Sequence, residues 1–450
     1  MFSFAGCRFS KLRDQATFRF RDGSAPIGHS SRGEPHSIGT LLVLLSLLGG
    51  LGWLPGFSPE PGRELLTAQE STKADAAAKA EAAAKAEAAA KAAVAATNAA
   101  QEDLRLTLPK VAYAVAGQKI GVDFDNIILT EHPEQYQFQV ESPIGEADGR
   151  GWTLNADESQ VGLHPWKITI KRGEKTLAEG KMLWKVSSAK VARPQSFRLL
   201  LVGDSLTHAN LYPLDLARRF AEPGMPKCEL LGTHRPNKQR PDVGHEGYGG
   251  WTWRQFASHY VAMPDLAKRQ HSSPFVFAAE NQPPQLDVPR YIKEQCESRP
   301  PQIVTFLLGI NDCFGAPPDD PVAMDRHIDQ VFAQAEIVIK AFRETAPETD
   351  LGICLTPPPN ARESGFEANY KGRYHRWGWK RIQHRLVQRQ LQQFGGREKE
   401  HLFVVPIELN LDPMKGYPVD NGVHPNADGY AQIAASLQAW IVARLNEREQ

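Results

Sequence analysis

The sequence predicts an α/β protein in which a three-layer α/β/α domain, built on a parallel sheet, follows a helical spacer and a small all-β sandwich. In the second half of the chain, short and continuously apolar runs alternate with long amphipathic segments, as expected for strands that helices cover on both faces. Ahead of them, short segments alternate apolar and polar residues with a period of two, as antiparallel strands do. A chain of 450 residues is long enough to hold both parts.

Five buried strands and several helices are expected after Pro194. The strands are predicted at 197–202, 228–231, 303–308, 351–355 and 402–406, and the helices at 207–220, 322–345, 370–394 and 427–446. In open parallel sheets, sites form beyond the carboxyl ends of the strands. The residues that directly follow the first and third of these strands are therefore the first candidates for a site.

Residues 104–192 are predicted to form the all-β part. Its alternating segments lie at 104–108, 119–124, 136–140, 166–171 and 182–186. Several short strands separated by turn residues suggest an antiparallel sandwich of the immunoglobulin-like type. The segments 151–157 and 168–170 loosely resemble the late hairpin of cadherin-like modules. Such a module either spaces an enzyme or binds carbohydrate, and spacing is the default expectation.

The first 57 residues indicate where in or outside the cell the protein is located. Residues 1–37 form a leader with six Lys or Arg against three Asp or Glu, and residues 38–57 contain an uncharged run near the lower limit for crossing a bilayer. The positive flank predicts that the N-terminus stays in the cytoplasm and that the rest is exported. No A-x-A-like cleavage site follows, which favours an uncleaved anchor over a signal peptide. The protein is expected outside the cytoplasm, facing the periplasm or exterior, or secreted if the segment is cleaved.

Residues 58–103 are predicted to be an alanine-rich helical linker. A six-residue unit repeats from Asp75 to Ala92, with an acid and a base at i,i+4 in the favourable order. The six-residue step spreads charge over all faces of a helix, so no apolar seam remains for a coiled coil. A solvated rod is expected, and a disordered linker is the alternative. Either would space the folded domains from a membrane.

Composition excludes several functions. The 52 basic residues balance the 52 acidic ones, so no global field would recruit nucleic acid. The five cysteines are scattered, and free buried thiols are the expected state, with one disulfide as the alternative. No Cys, His or carboxylate spacing fits a metal site, and no cofactor is expected.

The most informative junction is Gly203-Asp204-Ser205-Leu206, where an apolar strand ends and a helix begins. Ser205 lies beside backbone N–H groups that no helical carbonyl accepts, so it is suited to be a nucleophile with an oxyanion site next to it. The alternative is that Ser205 or Asp204 only caps the helix.

Three further blocks follow in order. Gly249-Gly250-Trp251 comes after a Gly-rich turn, Gly309-Ile310-Asn311-Asp312 ends a second strand, and Asp420-Asn421-Gly422-Val423-His424 precedes the last helix. With these blocks, residues 196–450 resemble the SGNH (GDSL-type) hydrolase family. The resemblance implies a flavodoxin-like fold, Ser205 as nucleophile and His424 as its base. It also implies an oxyanion hole formed by Ser205, Gly250 and Asn311.

The third member of the triad departs from the family pattern. The family usually carries Asp three residues before the His, where this chain has Asn421, and Asp420 stands one residue earlier. A neutral amide orients an imidazole but does not stabilise its cation as a carboxylate does. We expect an extra loop residue to bring Asp420 into place, with Asn421 as the alternative.

The expected substrate is a small acyl ester, of the acetyl type, on a carbohydrate. The exported location, the spacer and the sandwich favour this, and Trp251 and Trp253 are candidates for stacking on sugar rings. One alternative is a lipolytic esterase or acyltransferase with the same triad. Another is a non-catalytic surface protein that binds polysaccharide. His208 and His245 are expected to lie at the surface or to support the site.

Overall fold

The computed structural model describes Lys85 and residues 104–191, 195–263 and 271–448. The chain divides into two compact units, Met1–Ala90 and Lys91–Gln450. The predicted leader, apolar segment and linker lie outside the described residues, apart from Lys85, which is helical and exposed. Among the helices of the described ranges, none combines the length and the hydrophobicity that crossing a bilayer requires.

Fifteen strands are described. They are β1 Val111–Val115, β2 Lys119–Asp123, β3 Gln137–Glu141, β4 Glu146–Ala147, β5 Gly151–Asn155, β6 Gly162–Arg172, β7 Lys175–Ser187, β8 Ser196–Gly203, β9 Lys227–Leu231, β10 Glu246–Gly247, β11 Val276–Ala279, β12 Gln282–Leu286, β13 Ile303–Leu307, β14 Asp350–Cys354 and β15 Leu402–Val405.

The helices of the described residues include one short helix in the all-β part. They are α1 Phe124–Ile127, α2 Ser205–His208, α3 Leu211–Arg219, α4 Trp253–Ser258, α5 Val288–Gln295, α6 Ile310–Cys313, α7 Pro321–Thr345, α8 Glu363–Tyr370, α9 Arg376–Phe394 and α10 Ala427–Glu447.

The central sheet is parallel and has the strand order β9-β8-β13-β14-β15, with the short β10 pairing with the carboxyl end of β8. Strands β13 and β14 are buried at every position, as sheets covered on both faces require. The predicted three-layer α/β/α, flavodoxin-like fold is confirmed. Because all strands run in one direction, the residues after β8, β10 and β13 meet at one edge of the sheet.

Two predicted helices are each divided or shortened by residues with a positive φ. The helix expected at 207–220 is divided at Asn210, which has φ 60°. The helix expected at 370–394 begins only at Arg376, because Tyr370 ends α8 and is followed by Lys371 and Gly372, with φ 50° and 81°. A residue in the left-handed region ends the i→i−4 hydrogen-bond series, so the chain turns before the next helix begins. Periodicity alone does not register such a turn.

The all-β part contains two sheets, with orders β1-β7-β6-β3 and β2-β5-β4. Trp152 of the smaller sheet packs against Trp184 and Trp166 of the larger one, with ring centroids 4.9 and 6.3 Å apart. These three buried tryptophans form the core between the sheets. The immunoglobulin-like assignment stays a prediction.

Two strand assignments in this part were wrong. Residues 104–108 are not a strand; the strand is β1, which pairs in parallel with β7. The expected hairpin of 151–157 with 168–170 does not form, because β5 pairs with β2 and β4, whereas β6 pairs with β3 and β7. Alternation marks a strand's faces but not its partner, and here the partners lie in different sheets.

The all-β part packs on the α/β domain through the segment that follows β15. The Asp123 N–H donates to the carbonyl of Leu409 at 2.9 Å. The side chain of Asn126, which is 1% exposed, donates to the carbonyls of Glu408 at 2.7 Å and Leu411 at 2.8 Å. These buried backbone groups have their partners across the boundary, so the two parts depend on each other.

We expect Asn126→Ala to lower the free energy of unfolding by about 1–3 kcal/mol, because it leaves buried carbonyls without a donor. Urea denaturation followed by far-ultraviolet circular dichroism measures the change. Gln282→Ala, at an exposed position of β12, is the control and should leave the midpoint unchanged. Equal midpoints for the two variants would contradict this account of the boundary.

Candidate active site

Ser205 is the first residue of α2, and Asp204 alone separates it from the end of β8. The carboxylate of Asp204 caps this helix by accepting the Leu206 N–H at 3.0 Å. Capping is therefore performed by Asp204, and the half-buried Ser205 hydroxyl is used elsewhere. The alternative that Ser205 is only a helix cap does not fit this arrangement.

The Ser205 hydroxyl meets His424. Its Oγ lies 2.8 Å from Nε2 of His424, although 219 positions separate the two residues. On the other side of the ring, Nδ1 of His424 lies 3.1 Å from Oδ1 of Asn421. Serine, imidazole and amide thus stand in a line, with a hydrogen bond on each side of the ring.

The hydrogen bonds of Asn421 fix where the imidazole proton lies. Its Oδ1 also accepts the backbone N–H groups of Val423 at 3.2 Å and His424 at 2.9 Å. Only the amide oxygen accepts hydrogen bonds, so the atom that faces Nδ1 is the oxygen and Nδ1 is the donor. In the neutral ring Nε2 is then the acceptor for the Ser205 hydroxyl. This is the tautomer that a general base needs.

The prediction that Asp420 supports His424 is wrong for this structure. Asp420 lies exposed on the loop, whereas Asn421 folds back over the turn and reaches Nδ1. Asn360 holds that turn by donating its side-chain N–H to the Asn421 carbonyl at 2.9 Å and its backbone N–H to the Gly422 carbonyl. The turn therefore needs no extra loop residue, because Asn421, three residues before His424, itself reaches the imidazole.

The electrostatics of His424 follow from its surroundings. Burial lowers the pKa of His424 to about 4, because the imidazolium would lose hydration. Asn421 carries no charge that could offset this loss. The ring is therefore neutral, and able to accept a proton, at every pH well above 4.

The three predicted oxyanion donors lie on neighbouring segments. Within the described residues, neither the Ser205 nor the Gly250 backbone N–H donates a hydrogen bond. Gly250 is exposed, has φ 82°, and has no atom within 4 Å of where a Cβ would lie. Asn311 Nδ2 donates one hydrogen to the Trp251 carbonyl at 3.1 Å, and an amide nitrogen carries a second.

Asp312 completes a double link that sequence reasoning missed. Its carboxylate accepts the Trp253 N–H at 3.0 Å, two residues from the carbonyl that Asn311 holds. Burial raises the pKa of Asp312 to about 7. Together Asn311 and Asp312 tie the segment that carries Gly250 to α6. The one signal for Asp312 in the sequence was its position next to Asn311, and Asp312 was interpreted only as part of the end of a strand.

Trp251 and Trp253 were predicted to bind substrate, and the structure places both in the interior. Trp253 is 3% exposed and packs on Phe306, with ring centroids 5.1 Å apart. Trp251 is 7% exposed, stacks on His271 at 4.9 Å, and contributes its carbonyl to the Asn311 contact. Buried rings offer no face to a sugar, so these side chains support the loop instead.

The two histidines named beside the site have structural partners. His245 is fully buried and accepts the Gly247 N–H at Nδ1, whereas the half-buried His208 bonds the Gly247 carbonyl at 3.3 Å and stacks on His234. The described ranges hold no group of three or more His, Cys, Asp or Glu arranged to bind a metal ion. The four described cysteines, Cys228, Cys296, Cys313 and Cys354, are free.

We expect Asn421→Asp to raise the pKa of His424 by about 1–3 units, because an opposite charge at hydrogen-bond distance stabilises the imidazolium. Proton NMR titration of the imidazole, assigned by comparison with His424→Gln, measures this shift. Asp420→Asn is the matched control and should leave the pKa unchanged, because that carboxylate faces solvent. If removing Asp420 lowered the pKa instead, the assignment of Asn421 as the partner of Nδ1 would fail.

Comparisons with known proteins agree with this fold and motif order. The model of the GDSL-like lipase/acylhydrolase family matches residues 199–437, more than half of the chain. A comparison with curated proteins finds no match.

The solved structures that match this chain include three esterases or lipases. An acetyl xylan esterase is 13% identical (TM-score 0.30), with 54% of this chain and 99% of that chain covered. A GDSL-like lipase of Parabacteroides merdae is 15% identical (TM-score 0.31; 56% and 99% covered). A carbohydrate acetylesterase of Sinorhizobium meliloti is 14% identical (TM-score 0.28; 55% and 99% covered). Such distant similarity says nothing about substrate. On the family match, the chain belongs to the GDSL-like lipase/acylhydrolase family and is a serine carboxylic ester hydrolase.

Proposed function

We propose that this enzyme removes small acyl groups, acetyl foremost, from carbohydrate outside the cytoplasm, using Ser205, His424 and Asn421. The observation that carries the proposal is the 2.8 Å contact between Ser205 Oγ and a His424 Nε2 that has no proton of its own. A hydroxyl attacks an ester only when a base removes its proton, and this base is already in place.

In the proposed reaction, Oγ of Ser205 attacks the carbonyl carbon while its proton passes to Nε2 of His424. The negative charge that develops on the carbonyl oxygen is stabilised by the N–H groups of Ser205 and Gly250 and by the Asn311 amide. His424 then gives its proton to the leaving alcohol, and the acyl group stays on Ser205. A water molecule, activated by the same imidazole, releases the acid and restores the serine.

Asn421 serves as a positioning residue in this scheme. It holds Nδ1 protonated and the ring in line, as the carboxylate of a Ser-His-Asp triad does, but adds no negative charge. The imidazolium that forms in the transition state is consequently less stabilised. In exchange, the base stays unprotonated in moderately acidic solution, where a carboxylate-supported histidine would already be charged.

Packing behind the nucleophile supports a small acyl group. A Cβ on Gly203 would lie 1.9 Å from Oγ1 of Thr207, and one on Gly247 would lie 2.5 Å from the same side chain. Thr207, which is fully buried, thus fills the space against both glycines. We infer that the acyl group meets this filled side of Ser205 and is therefore short. Gly249 and Gly250, in contrast, are exposed, which suits a bulky alcohol such as a sugar polymer.

Support for carbohydrate and export comes from the sequence. The basic leader, the apolar segment at 38–57 and the charged alanine-rich linker are typical of a domain displayed beyond a membrane. The same triad could serve a lipolytic esterase or an acyltransferase, and chain-length preference distinguishes these. A non-catalytic polysaccharide-binding role is disfavoured because Ser205 and His424 are both present and in contact.

The direct test is hydrolysis of p-nitrophenyl acetate and p-nitrophenyl octanoate by the full chain. We expect kcat/KM to be at least about tenfold higher for the acetate ester than for the octanoate ester, since the side filled by Thr207 would exclude longer acyl chains. Ser205→Ala should lower the rate by about 10⁴-fold or more. The exposed Ser258→Ala is the matched control and should keep full activity. Activity that survives in Ser205→Ala would refute the nucleophile, whereas a preference for octanoate would favour the lipolytic alternative.

The link through Asp312 predicts a second effect on rate. Asp312→Ala frees the Trp253 N–H and lets the Gly250 segment shift, which should lower kcat by about 10- to 100-fold, because a misplacement of about 1 Å has that cost. Asp312→Asn keeps an oxygen acceptor and should retain most activity. Steady-state kinetics on p-nitrophenyl acetate, with thermal melting as a check of folding, decide the outcome. Equal losses of kcat in Asp312→Ala and Asp312→Asn would contradict the role given to the hydrogen bond between Asp312 and the Trp253 N–H.

A further inference from the structure

A second candidate site lies in the all-β part, away from Ser205. It is a groove of about 630 Å³ on the outer face of the four-stranded sheet. None of its lining residues belongs to the α/β domain. They are Lys110, Glu141, Ser142, Pro143, Pro165, Trp166, Lys167, Lys181, Met182 and Leu183. Its volume is in the range of grooves that hold small ligands or short polymer segments.

Two lysines face each other in this groove. Lys167 of β6 and Lys181 of β7 are directly paired across the central strands of the sheet. Like charges at such a position destabilise a sheet. Lys167 is compensated, because its Nζ lies 3.0 Å from Glu179 and 3.4 Å from Glu141. Lys181 is exposed and forms no ion pair within 4 Å of another described residue, although its charge also lowers the pKa of nearby Glu179. The groove lining thus carries three lysines, Lys110, Lys167 and Lys181, against Glu141 alone, so its net charge is positive.

Beside the lysines runs an apolar strip. Leu183 is 39% exposed and is paired with Pro165, and Pro143 lies on the same groove. Farther along β6, Leu163 continues the strip at 61% exposure. The neighbouring residues Trp166 and Met182 point to the inner face of the sheet and are buried. Apolar side chains at the middle of a sheet are normally covered, so this strip is suited to contact a ligand.

We propose that this groove binds an anionic polysaccharide. The carbon-bound hydrogens of a pyranose ring would lie on Leu183 and Pro165, while a carboxylate or sulfate on the ring pairs with Lys181. Because the whole chain has equal numbers of basic and acidic residues, such binding must come from this local charge. The site goes beyond the proposed function, since it would hold a polymer whether or not Ser205 cleaves its esters.

Affinity electrophoresis tests the groove. The full chain carrying Ser205→Ala, which cannot consume a substrate, is run through gels containing polygalacturonate, dextran sulfate or neutral dextran. We expect retardation by at least one anionic polymer and not by dextran. Polygalacturonate and dextran sulfate separate carboxylate from sulfate recognition. Lys181→Glu should weaken binding at least about tenfold, and Leu183→Ala should weaken it less.

Lys175→Glu is the matched control, because it makes the same charge change on an exposed residue of β7 outside the groove. It should bind like the parent. Equal losses of binding in Lys175→Glu and Lys181→Glu, no retardation by either anionic polymer, or equally tight binding of single-stranded DNA would overturn the proposal.

A separate measurement checks that Lys181→Glu folds. In the chain that retains Ser205, this variant should hydrolyse p-nitrophenyl acetate at the parent rate. Binding without any ester hydrolysis would refute the proposed function and leave the groove intact.

Discussion

The hydrogen bond between Nδ1 of His424 and the amide oxygen of Asn421 determines how the rest of the site is arranged. Two backbone N–H groups share that oxygen, so the amide cannot turn its nitrogen towards the ring without losing both. The imidazole proton is thereby held on Nδ1, and Nε2 is left to accept from Ser205. An amide whose orientation is fixed by the turn thus does the orienting work of a carboxylate, but without its charge.

The fold supplies the remaining geometry through the edge of one parallel sheet. Strands β8, β10 and β13 end at the same edge, which places Ser205, Gly250 and Asn311 on neighbouring segments. Hydrogen bonds from Asn311 to Trp251 and from Trp253 to Asp312 connect two of these segments. At the same end of the sheet, the segment after β15 accepts hydrogen bonds from the all-β part, which ties that part to the catalytic domain.

The positions of several site residues were predictable from the sequence because each residue lies next to a predicted strand or helix. Ser205 and Asn311 each follow an apolar run, and His424 precedes a long helix, so their positions follow from the order of elements. The partner of His424 was not predictable in this way. Whether Asp420 or Asn421 reaches Nδ1 depends on the turn that Asn360 fixes from a distant loop. Trp251 and Trp253 were misjudged because an aromatic residue beside a motif gives no indication of which way its ring points. The strand partners of the all-β part were likewise hidden, since alternation specifies faces and not neighbours.

The pH dependence of kcat/KM on p-nitrophenyl acetate tests the central claim most directly, namely that an uncharged Asn421 keeps His424 neutral and directed at Ser205. Catalysis requires the neutral ring, whose pKa burial lowers to about 4. The rate constant should therefore stay level from neutral pH down to about pH 5 and fall below that as His424 becomes protonated. A fall centred near pH 6.5 or above, as for a histidine paired with a carboxylate, would contradict the account.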